Sequence, residues 1–274
     1  MDQFTSAFPV WVAGLLSAWL VMGAGLYFCM VRFVARENGA RVSTIGFQDP
    51  DTWVCLAFVT WFILNIANGF GAPDHDVTRK EIIAGAGVYL GIVTGLGLFM
   101  AFRGINPLRQ FGILRRNAFL CLAMAAGLLA GALPLVLLTE SLTALALNGK
   151  AQPQSVVEYF INASEKSDSK GVALMLVLAV LVAPAAEETI FRGYLYGVIK
   201  RHVGGLWAAL FTAALFAALH LNLAALPALF VLALCLTLAY EATGSLLVNI
   251  FMHGLFNLTM LLVMLYITGH SAAS

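Results

Sequence analysis

Eight apolar runs, each close to the length that crosses a bilayer, constrain this chain more than any other feature. They fall at about 9–31, 53–72, 82–102, 118–138, 171–199, 204–221, 225–241 and 245–268. A helix needs roughly 20 apolar residues to span the hydrocarbon core, where every backbone polar group must be satisfied internally. Composition agrees: 61% of the 274 residues are hydrophobic and 11% charged, well beyond the usual balance of a soluble domain. The expected fold is all-α, a polytopic membrane helical bundle of about eight transmembrane helices. Trp11, Trp53 and Trp207 stand near proposed ends, where aromatic belts form. A net charge of +1 with no basic tract argues for no nucleic-acid partner.

Basic residues give the orientation. Arg32, Arg36 and Arg41 follow the first run, Arg103, Arg109, Arg115 and Arg116 the third, and Lys200 and Arg201 the fifth. The alternate loops carry Arg79, Lys80, Lys150, Lys166 and Lys170 over longer stretches. Both termini are expected outside, in an integral multi-pass protein of the cytoplasmic (cell) membrane. Cys29, Cys55, Cys121 and Cys235 all fall within spans and lack CxxC spacing, so they read as packing residues.

The polar interval 139–170 divides the chain into an N-terminal four-helix half, 1–138, and a C-terminal half, 171–268. A short amphipathic helix near 156–164 is expected inside the interval, lying on the membrane surface. The first half has almost no ionisable residue in its spans. It does have ladders of small residues, Gly87, Gly91 and Gly95, then Ala123, Gly127 and Gly131, expected to bring helices close together.

The polar residues of the second half are more demanding. APAAEETIFRG places Glu187, Glu188 and Arg192 within an apolar run, where one charge costs about 2.5–3.5 kcal/mol on insertion scales. Glu188 and Arg192 are spaced i, i+4 and can pair. Glu187 points about 100° away around the helix and has no cation on its own helix. It therefore needs another partner, a wet cavity or a proton, and a buried carboxylate suits a general base. Pro184 removes a backbone donor and is expected to free the carbonyl of Val180.

The turn between the fifth and sixth runs lies near residue 203. Counting back to Glu187 and forward to His220 gives almost equal distances, about 25 Å along each helix. Phe216, one turn before His220, shares its face. In the last run Asn249, His253 and Asn257 recur every four residues and form a polar stripe. Together Glu187 and His220 could deprotonate a water, with His253 and Asn257 donating to an oxyanion. Glu187, His220 and His253 could instead hold a divalent metal such as zinc, although HExxH is absent and no metal or other cofactor is favoured. A Ser or Cys nucleophile has no supporting arrangement.

EETIFRG, FAALH and HGLFN, in that order on successive apolar runs, resemble the CPBP family of CAAX proteases and bacteriocin-processing enzymes, the Abi group. The family pattern EExxxR, FxxxH and HxxxN maps onto Glu187, Glu188 and Arg192, then Phe216 and His220, then His253 and Asn257, over about 171–268. The resemblance implies an intramembrane endopeptidase acting on a membrane-associated, in some members lipidated, peptide or protein. It implies Glu187 with His220 as water activators and His253 and Asn257 as the oxyanion site; the i, i+4 spacings give Glu188, Arg192, Phe216 and Asn249 supporting places around them. Two readings compete: a non-catalytic membrane adaptor or bacteriocin-immunity protein on the same fold, and a transporter with a buried proton relay, which the missing internal repeat disfavours.

Overall fold

The computed structural model describes residues 10–36, 41–69, 77–148 and 155–271, which form helices and connecting turns without strands. Helices α1 (Val10–Val34), α2 (Asp49–Gly69), α3 (Arg79–Phe102) and α4 (Ala118–Ala146) come first. The short α5 (Ser155–Glu165) leads into α6 (Ser169–Val203), followed by α7 (Gly205–Ala218), α8 (Leu226–Thr243) and α9 (Leu246–Ser271). Seven of these are long and apolar enough to cross a membrane, making this an integral membrane protein. The eighth expected span is the 14-residue α7, about 21 Å long at 1.5 Å per residue. The apolar run continues, but the helix stops. Leu221 takes a left-handed backbone (φ 52°), and the Asn222 side chain accepts from the Ala225 N–H at the start of α8.

Two apolar cores hold the bundle, and both draw side chains from before and after the interval 139–170. One gathers Cys55 and Phe62 of α2, Met100 of α3, Phe191 of α6 and Phe216 of α7. The other gathers Tyr27, Cys121, Leu129, Leu236 and Met252 from α1, α4, α8 and α9.

The arginine-bearing loops meet on one face. Glu241, buried near the end of α8, accepts from the Tyr196 hydroxyl at 2.6 Å, from the Val42 N–H at 3.2 Å and from Lys200. Its backbone carbonyl accepts from the Arg41 N–H. Arg103 pairs with the fully buried Asp51 at 2.5 Å, and Arg201 donates to the Phe47 carbonyl. At 35 residues, α6 measures about 52 Å and exceeds the bilayer core, which explains how its end reaches these loops.

Three expectations change. The ladder Gly87, Gly91, Gly95 faces none of the described residues, since a Cβ on any of the three would meet nothing among them within 4 Å. Tyr89, Ile92, Leu96 and Met100 form the packed face of α3 and leave the glycines on the other side. The other ladder does hold a close helix crossing: a Cβ on Gly23 of α1 would strike the Gly131 carbonyl of α4. Second, α5 lies against protein, with Phe160 buried on Met175 of α6 and Leu261 of α9. Third, α6 accommodates Pro184 through a π-helical segment, Leu178–Val182. In that wider register the residue due to donate to Ala179 is Pro184, which has no N–H. The orphaned carbonyl is therefore that of Ala179, and Asn257 of α9 donates its side-chain amide to it at 2.8 Å. The Val180 carbonyl instead packs on Gly254, leaving no room for a side chain there.

That contact yields a prediction. Gly254→Val pushes α9 off α6 and should lower stability by on the order of 1–3 kcal/mol, read as a lower Tm in detergent, while Gly91→Val in the open ladder leaves Tm unchanged.

Candidate active site

The two carboxylates of α6 sit between two departures from α-helical geometry, Leu178–Val182 and a second π-helical segment, Thr189–Leu195, which carries Arg192. Such segments recur at functional sites because they re-aim side chains without breaking the helix. Between them, Glu187 and Glu188 leave the helix in different directions and enter different environments.

Glu188 is fully buried, and both its oxygens are occupied. Oε1 accepts from Arg192 Nη1 at 2.8 Å and from His253 Nδ1 at 2.9 Å, and Oε2 from the Asn249 amide at 3.3 Å. Arg192 is equally buried. Its Nη2 donates to the Ala233 carbonyl of α8 at 3.3 Å, and its guanidinium lies 4.6 Å from the centre of the Phe216 ring. Asn249 also donates to the Leu236 carbonyl at 2.7 Å. The charge pair is thus closed by α7, α8 and α9, as a charge in hydrocarbon requires.

Glu187 has a different set of neighbours. Its Oε1 accepts from the Tyr89 hydroxyl of α3 at 2.9 Å. Its Oε2 lies 3.8 Å from His253 Nε2, and the side chain keeps 13% exposure against none for Glu188. His253 stands between the two carboxylates, giving Nδ1 to Glu188 and presenting Nε2 toward Glu187. No arginine or lysine among the described residues pairs with Glu187.

His220 lies in the turn just past α7, followed by the strained Leu221. Its Nδ1 is 2.8 Å from the Phe216 carbonyl, which can only accept, so Nε2 carries the lone pair. Phe216 is shared: its ring is 4.9 Å from that of His220 and 5.8 Å from that of His253. His220 therefore joins the cluster through Phe216, and no direct hydrogen bond ties it to either carboxylate. Asn257 sits one turn beyond His253 with one amide hydrogen committed to Ala179.

Compared with known proteins, residues 169–259 match the family model described as type II CAAX prenyl endopeptidase, Rce1-like. The match covers 91 of the 274 residues, about a third of the chain. No curated protein and no solved structure matches the chain. The matched segment takes in every polar residue just described except Tyr89, and the model it matches describes a family of peptidases.

Tyr89 is the residue that sequence reading missed. It lies 98 positions from Glu187 and in the other half of the chain. The available signal was a phenol inside an otherwise apolar span, GVYLG, since a buried tyrosine hydroxyl normally has a partner. Asp51 and Glu241, also buried carboxylates, belong to the basic face rather than to the Glu187–Glu188 cluster. Among the described residues no three His, Cys, Asp or Glu side chains are grouped to hold one ion, and His253 Nδ1 is already committed to Glu188.

Removing Arg192 alone strands a carboxylate. Arg192→Met should cost about 3–5 kcal/mol, measured by denaturation of the purified protein. The double variant Arg192→Met/Glu188→Gln removes both charges and should recover a large part of that loss.

Proposed function

We propose that the chain is an intramembrane endopeptidase that hydrolyses a peptide bond near the C-terminus of a prenylated, membrane-anchored substrate. The observation that carries this reading is the unequal treatment of two adjacent carboxylates. Glu188 is consumed by Arg192, His253 and Asn249. Glu187 is held by a neutral phenol and keeps an oxygen beside an imidazole. The Rce1-like match supplies the substrate class, and the positive-inside rule turns the basic face to the cytoplasm of the cell membrane.

In the mechanism, a water enters between Glu187 and His220. Glu187, oriented by Tyr89, takes its proton as the oxygen attacks the scissile carbonyl, and His220 Nε2 fixes the water by accepting its other hydrogen. Charge develops on the carbonyl oxygen. It is met by the His253 ring and by the second amide hydrogen of Asn257. Collapse of the tetrahedral intermediate breaks the C–N bond, and the proton on Glu187 passes to the leaving amine. Arg192 and Glu188 hold His253 in place, and Asn249 and Phe216 hold that pair. No step calls on a metal.

The test is release of the C-terminal tripeptide from a farnesylated CAAX-type peptide by the full chain in proteoliposomes. Wild type should cleave. Glu187→Gln and His220→Ala should each lose on the order of 10²–10⁴ in rate with Tm retained. Tyr89→Phe deletes one hydrogen bond to a charged group and should lose about tenfold. Failure of wild type to cleave, or cleavage by Glu187→Gln at the wild-type rate, refutes the proposal. Elemental analysis of the active preparation tests metal independence.

A further inference from the structure

We infer that a second site, on the basic face, binds the phosphate of an anionic phospholipid headgroup. Residues that follow α1, precede α4 and end α8 enclose a cavity of about 440 Å³ lined by Arg41, Arg109 and Arg115, with Gln110, Leu108 and Leu114 among its other walls. This lies within the usual size range of small-ligand sites.

The charges around the cavity are unbalanced. None of the three arginines forms an ion pair among the described residues. Arg115 reaches only the Gly244 carbonyl, at a long 3.4 Å, and the Arg41 guanidinium lies over the Phe33 ring at 5.5 Å. The nearby carboxylate, Glu241, cannot neutralise them, because Lys200, Tyr196 and the Val42 N–H already occupy it. Three guanidiniums on one cavity repel each other, and a tetrahedral anion relieves this with the bidentate geometry that arginine matches best.

The apolar wall and the depth identify the source of the anion. Leu114 and Leu108 border the same cavity and are 67% and 46% exposed. Phe119, in the first turn of α4, is 82% exposed. A free phosphate ion gains nothing from leucines, whereas a phospholipid places its phosphate on the arginines and its first methylenes along them. The flanking helix ends set the cavity at headgroup depth, and on the positive-inside rule at the cytoplasmic leaflet, where anionic lipids meet basic pockets.

Occupancy should stabilise the fold. The cavity wall is pinned to the α8–α9 corner: Leu246 N–H donates to the Phe111 carbonyl at 3.0 Å, and Tyr240 donates to the same oxygen at 3.3 Å.

The experiment uses the full chain in a neutral maltoside detergent, titrated with phosphatidylglycerol, phosphatidylcholine or inorganic phosphate. Thermal stability and native mass spectrometry of retained lipid are the readouts. Phosphatidylglycerol should raise Tm and be retained at one molecule per chain, while phosphatidylcholine and millimolar phosphate do neither. Arg109→Gln, whose exposed side chain forms no ion pair among the described residues, should keep the lipid-free Tm and weaken phosphatidylglycerol binding about tenfold, the loss of one charged hydrogen-bond partner. Arg41→Gln/Arg109→Gln/Arg115→Gln should abolish the lipid response. Equal responses to the two lipids, an unaltered response in the variants, or the same stabilisation by inorganic phosphate would each overturn the assignment.

Discussion

Glu188 and Arg192 form an ion pair inside a membrane protein, one helical turn apart and both nearly without solvent contact. Neither charge would be tolerated there alone, and the pair itself leaves hydrogen-bonding capacity on both partners. Filling that capacity draws in the neighbouring helices. Carbonyls of α8 accept from Arg192 and Asn249, the Phe216 ring of α7 lies against the guanidinium, and α9 contributes Asn249 and His253. The arrangement of four helices follows from satisfying one pair of charges in a medium that offers no water.

Lipid supplies little force to bring helices together, so the specific polar contacts decide register. Asn257 on the orphaned Ala179 carbonyl and Val180 against Gly254 fix α9 along α6. The register that places His253 between two carboxylates is therefore set partly by contacts one turn away from it. Pro184, by removing one donor, provides the acceptor that Asn257 uses.

Sequence showed what is local and periodic. The helices were legible from hydropathy. The Glu188–Arg192 spacing and the stripe of Asn249, His253 and Asn257 were legible because a helix repeats every 3.6 residues. Contacts between distant segments were not: Tyr89 with Glu187, Arg103 with Asp51, and Lys200 with Glu241 carry no spacing that a single chain reveals. Two errors have the same root. The α3 glycines have the periodicity of a packing face, but periodicity does not say whether protein or lipid lies beyond it. Counting at 1.5 Å per residue placed His220 within a helix, whereas α7 ends before it, and π-helical segments alter the register of α6. Pro184 freed the neighbouring carbonyl rather than the expected one for that second reason.

The asymmetry between Glu187 and Glu188 finally explains why the N-terminal helices matter to chemistry that the C-terminal half seems to contain. A second arginine beside Glu187 would stabilise it as an anion and hold it as firmly as Glu188 is held. A phenol fixes one oxygen by a single hydrogen bond without adding a positive charge, and leaves the other oxygen facing His253. That phenol has to come from outside α6, because the helix faces around Glu188 are already filled by α7, α8 and α9. The remaining side is covered by α3, whose packed face brings Tyr89 to Glu187 while its glycines turn away. The first half of the chain thus supplies the one neutral donor that keeps the two carboxylates different.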